Sequence, residues 1–262
     1  MKKIGYSVLA SVLIFGSSCN RYYYKPNAVN APMFTDGGQF HVAGAGMSSH
    51  VEDNNEGGHS YFFDVQAAFS PLKHLGFIGN YSTYAYRPDD IDYVAGHVDA
   101  DAHLAEAGVG TYIVGGKGKA KMVADIYVGG GAGRVKSDVD MNVTRLFLQP
   151  GIAMRHPAVD VGFNMRISNV KYSDLDDNGR GIGYLTDQNL FDPQRNRRID
   201  EGSYFFVEPA FTVRTGYRFI KAQFQWVLAA ELSNVRWNYN GGRFTVGLHF
   251  SLEDALQMAK GN

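Results

Sequence analysis

The sequence predicts an all-β fold: a ten-stranded antiparallel transmembrane β-barrel over residues 39–250, followed by a short C-terminal helix over 251–262. Three observations predict it. Ten segments alternate residue by residue between an apolar and a polar phase. The cleanest covers 160–169, where Val161, Phe163, Met165 and Ile167 share one side and Asp160, Asn164, Arg166 and Ser168 the other; a period of two puts the two sets on opposite faces of a strand. Ionisable groups recur in the polar phase while bulky apolar groups dominate the other, the inverse of a water-soluble barrel and the pattern of one with lipid outside and a polar interior. Finally, tight turns and long polar links take turns between the segments, as in a bacterial outer-membrane barrel with short periplasmic turns, long extracellular loops and an even strand number.

The N-terminus gives an address. Lys2 and Lys3 precede an apolar stretch over 4–15, and Gly16, Ser17 and Ser18 lead into Cys19, the layout of a bacterial export signal over 1–18. Cys19 is the single cysteine of the chain, which excludes an internal disulfide and a zinc site built on several thiolates. Beyond the signal no run of about 18 apolar residues exists, so a membrane role falls to strands. A formal net charge of -1 gives no pull toward nucleic acid, and aromatics at 13% suit rings at two membrane interfaces.

A lone Cys after small residues resembles the lipobox of bacterial lipoproteins, with Gly16 where Leu is usual, and the resemblance implies lipidation at Cys19. The stretch over 20–27 (NRYYYKPN), with Ala31-Pro32-Met33-Phe34 and Gly37-Gly38 after it, resembles the start of small outer-membrane β-barrel lipoproteins of Bacteroidota. More loosely, so do 68–71 and 79–82. The resemblance implies a lipid-anchored protein of the bacterial cell outer membrane with a periplasmic N-terminus, residues 19–38 serving as a periplasmic tether; it implies no activity.

Strands are expected at 39–47, 61–69, 75–86, 102–114, 119–135, 142–155, 159–170, 204–218, 220–232 and 242–250. Short turns fall at 70–74, 115–118, 156–158 and 217–219, rich in turn formers or too brief for anything else. Ten strands then leave both barrel ends beside the short turns. In the last strand Phe244, Val246, Leu248 and Phe250 alternate with Thr245, Gly247 and His249, resembling the signal by which the barrel-assembly machinery recognises its clients. Ser251 and the early acids Glu253 and Asp254 predict a helix start, seated at the periplasmic rim.

The inward phase places His41, Asp64, Glu106, Asp125, Gln149, Arg155, Arg166, Glu208, Arg214, Lys221, Gln223, Gln225 and His249 in the lumen, a charge network filling a narrow interior. His41 and His249 lie on the first and last strands, which must meet, and are candidates for a metal or for titration near neutrality. In the longest link, 171–203, Asp174, Asp176 and Asn178 followed by Gly179 fit the opening of a calcium loop; Leu185 stands where the bidentate Glu belongs, with Asp187 as its substitute. Tyr184, Leu190, Phe191, Arg195, Arg197 and Arg198 in the same link have the makeup of a contact surface.

The functional expectation is a non-enzymatic structural or accessory subunit of a larger envelope complex, contacting partners through its loops or rim. Two alternatives accompany it. One is a narrow channel for small solutes. The other is an outer-membrane hydrolase: a protease using Asp89, Asp90, Asp92, Asp99 or Asp101 with His103, in the manner of the ten-stranded omptins, or a lipid-modifying enzyme using Ser48, Ser49 and His50.

Overall fold

The structure is a computed structural model and describes residues 23–53, 56–88 and 99–259. Ten strands form the wall: β1 (Gln39–Asp53), β2 (Glu56–Leu72), β3 (Leu75–Pro88), β4 (Ala100–Gly115), β5 (Lys121–Lys136), β6 (Asp140–Arg155), β7 (Val159–Asp176), β8 (Ser203–Tyr217), β9 (Ile220–Leu228) and β10 (Gly242–Ser251). Each pairs antiparallel with the next, and β10 closes on β1 with His41 opposite Ser251 and Gly46 opposite Val246. The result is a closed ten-stranded antiparallel barrel. Among the described residues no helix is long and apolar enough to cross a membrane.

The two rims differ. Four tight connections lie at one rim, the shortest being the two-residue Lys73–His74, between Leu72 and Leu75, and Arg218–Phe219, between Tyr217 and Ile220. At the opposite, link rim, two of the expected long links are tall hairpins instead: the β1–β2 ladder continues to Asp53 opposite Glu56, and the β5–β6 ladder to Lys136 opposite Asp140. The polar residues there keep strand pairing because the ladder satisfies their backbone groups. The longest link is folded as well. β7 runs on to Asp176, and α1 (Gly181–Asp187), a two-residue ladder of Phe191–Asp192 with Arg197–Arg198, and a 3-10 turn (Ile199–Glu201) follow. The expected strand over 220–232 ends at Leu228, with Ala230–Glu231 pairing briefly further on.

The alternation sorts as the sequence pattern requires. Phe163 and Leu248 are 40% and 59% exposed on the outer wall, whereas Asp64 and Arg166 are 1% and 0% exposed inside. Every strand contributes to the outer apolar belt, from Met47, Phe63 and Phe77 through Val109, Ile126, Leu146 and Met165 to Phe211, Phe224 and Val246. On β5 the inward positions 129, 131 and 133 are glycines. A Cβ on Gly131 would sit 2.3 Å from the Ala105 carbonyl oxygen and 2.6 Å from Glu106 Cγ, so the bare backbone there makes room for a large inward side chain.

α2 (Leu252–Ala259) follows β10 at the short-turn rim, where the sequence expects a helix. The tether expectation fares differently. Gln39 does start β1 at the short-turn rim, opposite Ser70, but the residues before it do not stay outside the wall: Tyr23, Tyr24, Asn27, Ala28, Val29, Asn30, Ala31, Met33 and Phe34 are all buried inside the barrel.

Candidate functional site: a lumen filled by the chain itself

The N-terminal segment runs the length of the lumen, opposite in direction to β1. At the link rim the Tyr23 N–H donates to the Asn238 carbonyl at 3.0 Å and the Asn240 N–H to the Tyr24 carbonyl at 2.9 Å. Tyr23 Oη donates to Asp138 at 2.7 Å, and Tyr172 Oη donates to the Tyr23 carbonyl at 2.8 Å. Tyr24 stacks on Phe206 with ring centroids 4.0 Å apart. Around these rings Val139, Met141, Tyr172, Leu185, Leu190, Ile199 and Trp237 form a buried apolar cluster, so the folded link caps this end.

Halfway down, four wall charges converge on one side chain of the segment. Arg166 Nε meets Glu208 at 2.6 Å, Arg145 meets Glu106 at 3.2 Å, and the cross pairs Arg166–Glu106 and Arg145–Glu208 lie at 3.6 and 3.9 Å. Asn27 sits among them: its Nδ2 donates to Glu106 at 2.5 Å, and its Oδ1 accepts from Arg145 and Arg166, each at 2.7 Å. Tyr24 Oη adds a bond to Glu208 at 2.5 Å. Two carboxylates and two guanidiniums cancel, and the amide matches both signs, which is what permits four charges to lie out of water together.

Below Asn27 the wall serves the segment's backbone. Six of the seven carbonyls from Pro26 to Pro32 accept from wall side chains: Pro26 from Arg243 at 3.3 Å, Asn27 from Arg166 at 3.2 Å, Val29 from Gln225 at 2.8 Å, Asn30 from Gln149 at 2.8 Å, Ala31 from Arg214 at 2.8 Å and Pro32 from His41 Nδ1 at 2.9 Å. Gln225 also takes the Val29 N–H at 2.7 Å. An extended chain inside a barrel has no sheet neighbour, so its peptide groups need such partners. In return Asn30 Nδ2 donates to the Ala67 and Gly79 carbonyls at 2.8 and 3.2 Å. Met33 and Phe34 then pack with Tyr112, Tyr127, Ile78 and Phe147 near the short-turn rim.

At that rim α2 is pinned by its first turn. Glu253 accepts from His41 Nε2 at 2.7 Å and from Arg155 at 3.0 Å, and Asp254 from Arg155 at 2.9 Å. Burial alone would raise the Glu253 carboxyl, but the hydrogen bond from His41 and the charges of His41 and Arg155 outweigh it and hold the pKa down at about 2. Beside this anchor opens a basin of about 810 Å³, lined by Lys73, Lys119, Lys121, Arg155, Arg218 and Lys221 with Asp36, Glu253 and Asp254.

Of the ten expected lumen charges, nine are buried: His41, Asp64, Glu106, Asp125, Arg166, Glu208, Arg214, Lys221 and His249. Arg155 is at the short-turn rim. Asp64 pairs with Arg243 and accepts from Ser82, and Lys221 meets Asp160 at 2.8 Å. Asp125 lies beside Gly151 and Asn164, its Oδ1 without a hydrogen-bond donor among the described residues. The His41 and His249 rings do come within 5.1 Å, but His41 spends both nitrogens on Pro32 and Glu253.

The calcium set is not gathered round a common point. Asp174 accepts from Asn142 at 2.7 Å, Asp176 caps the Asn178 N–H at 3.0 Å, and Asn178 Nδ2 donates to the Asp138 carbonyl at 3.2 Å. Asp187 ends α1. Among the described residues no group of three or more His, Cys, Asp or Glu is placed to hold a metal. Nor is the link an open contact surface throughout: Leu190 is buried, and Tyr184 Oη donates to Asp138 at 2.6 Å. Of the protease candidates, Asp89, Asp90 and Asp92 lie outside the described residues, Asp99 and Asp101 face Arg87 at 3.9 and 2.8 Å, and His103 is exposed on the wall. Cys19 and the side chains of Ser49 and His50 also lie outside the described residues.

Sequence reasoning placed Asp160 on the polar side of its strand but missed Arg145 and Arg243, although each shares the parity of an inward residue on its own strand: Gln149 for Arg145 and His249 for Arg243. It missed the lumen segment altogether. Comparison with models of known protein families finds no match, and comparison with characterised proteins finds no significant relative.

Proposed function

We propose that this protein is a bacterial outer-membrane β-barrel, lipid-anchored, whose lumen is sealed by its own N-terminal segment, and that it is a non-enzymatic accessory subunit acting by contact rather than by conduction. The observation that carries the reading is the row of wall side chains bonded to six backbone carbonyls between Pro26 and Pro32. Polar groups that would line a water path are committed to a chain that lies in it. The apolar belt on all ten strands supports insertion, because a continuous exposed band of that kind is what lipid covers. Most strands are 14 to 18 residues long, beyond the roughly 9–11 needed to cross, and the surplus suits projection of the link rim above the membrane as a surface for a partner.

Recordings of the purified barrel in planar bilayers test this. The sealed reading expects no reproducible single-channel steps; steps that disappear in Arg166→Ala or Glu208→Ala would favour the narrow channel instead. Copurification from native membranes tests the subunit role. A stoichiometric partner should be retained by the wild type and lost with Ile182→Asp and Arg195→Glu, two residues 56% and 72% exposed on the folded link. Deleting the whole link is a poorer test, since it would strip Leu185, Leu190 and Ile199 from the cap. Turnover of a peptide or a lipid A substrate would overturn both readings.

A further inference from the structure

The direction of the lumen segment fixes which side of the barrel the preceding chain lies on. Tyr23 and Tyr24 are fastened at the link rim by Asn238, Asn240, Asp138 and Glu208, and Phe34 and Thr35 reach the short-turn rim, where the Thr35 N–H donates to Gln39 at 2.7 Å. The Asp36-Gly37-Gly38 turn, with Gly38 at φ +79, then reverses the chain into β1. A backbone with φ in this range favours glycine. The chain therefore enters the barrel from the link side and leaves it at the other.

We infer that Cys19 shares the side of the long links, and that it is not on the side of the short turns. Reach excludes the alternative. Cys19 precedes Tyr23 by four residues, a span of at most about 14 Å. The wall from Tyr172, beside Tyr23, to Asp160, near the short-turn rim, is twelve strand residues, roughly 30 Å along a tilted barrel axis. The lumen offers no return route because the segment itself fills it.

Taken with the proposed membrane reading, on which this consequence rests, a lipid on Cys19 belongs to the leaflet on the link side, the cell-surface leaflet if the links are extracellular. This reverses the periplasmic N-terminus that the sequence resemblance implies. It also means that the barrel closes around its own leader-proximal chain, since a preformed ring would have to be threaded.

Three epitope insertions in the full-length protein, each expressed singly, test the inference: after Asn20, at Gln194 in the longest link and at Lys117 in a short turn. Antibody labelling of intact cells is compared with labelling after permeabilisation. The expected result is that the tags after Asn20 and at Gln194 are labelled on intact cells, and that the Lys117 tag is labelled only after permeabilisation. If the Asn20 tag follows the Lys117 tag while Gln194 stays accessible, the inference is wrong and the membrane reading stands. If Lys117 alone is accessible on intact cells, the inference holds and the proposed orientation fails. Identical labelling of all three would overturn the barrel's insertion and the inference with it. An insertion that prevents folding is recognised by loss of the heat-modifiable gel shift of a closed barrel, and that tag is then moved within its own segment, to follow Arg21, Arg195 or Lys119 respectively.

Discussion

Along β7 the outward side chains Phe163, Met165 and Ile167 alternate with the inward Asn164, Arg166 and Ser168 on one backbone, yet the two sets answer to different demands. The outward three are 40%, 36% and 39% exposed and, on the proposed membrane reading, need only be apolar. Each inward group has a named partner or place: Arg166 holds Glu208 and Asn27, Ser168 donates to Glu208 at 3.0 Å, and Asn164 sits over Gly151. The wall is specified by hydrophobicity outside and by complementarity to a single threaded segment inside. Substitutions on the two faces should therefore differ sharply in cost.

The largest effect is expected from Glu208→Ala. It leaves Arg166 and Arg145 one carboxylate short in a buried quartet, and breaking such a group costs about 3–5 kcal/mol, read as a lower midpoint of chemical unfolding in detergent. Asn27→Ala comes next. It keeps the quartet's charge balance but strands the amide's partners, a loss of about 1–3 kcal/mol; an unchanged midpoint would mean that the segment is not seated on the quartet.

A pH titration sharpens the comparison at the rim. The Glu253 carboxyl is held near 2, below the roughly 4.3 of a free glutamate, so the ionised form favours the docked helix. Its contribution to α2 docking is complete above that ordinary value and is lost as pH falls toward 2. Hydrogen exchange of the α2 amides should show protection fading over that interval in the wild type and already weakened at neutral pH in Glu253→Gln. The smallest effect is expected on the outer wall. Phe163→Leu keeps an apolar group on the outer face and should shift the midpoint by less than about 1.5 kcal/mol; a loss as large as that of Glu208→Ala would erase the distinction between the faces.

Much of the barrel was legible because a period of two is a strong local signal. The inward positions of Arg166, Glu208 and His249 follow from parity, and the strand number from the turns and links that separate the alternating segments. The link rim was harder. Residues such as Glu52, Asp53 and Lys136 look like loop residues, and only ladder pairing in space makes them strand. Asp174 and Asp176 looked like metal ligands because the Asp- and Asn-rich turns that cap backbone N–H groups share their composition with calcium loops. The segment before β1 left no periodic trace: Pro26-Asn27-Ala28-Val29-Asn30-Ala31-Pro32 is neither helix nor strand in pattern. Its physical cue was subtler, a run of small residues and amides ahead of a barrel whose lumen carries more hydrogen-bonding groups than its own strands can match. Counting unmatched inward donors such as Gln149, Gln225 and Arg214 against a narrow interior would have pointed to an occupant.

Val29 packs with Ala210 and Val227 in a buried cluster between segment and wall, so Val29→Cys with Val227→Cys, in a Cys19→Ser background, places two thiols on neighbouring positions of segment and wall, the proximity that a disulfide needs. Oxidation should join them within one chain in nearly every molecule, giving a gel shift that reductant reverses. Thiols that stay unjoined, with the one at position 29 open to a bulky maleimide in the folded barrel, would contradict a lumen filled by the N-terminal segment.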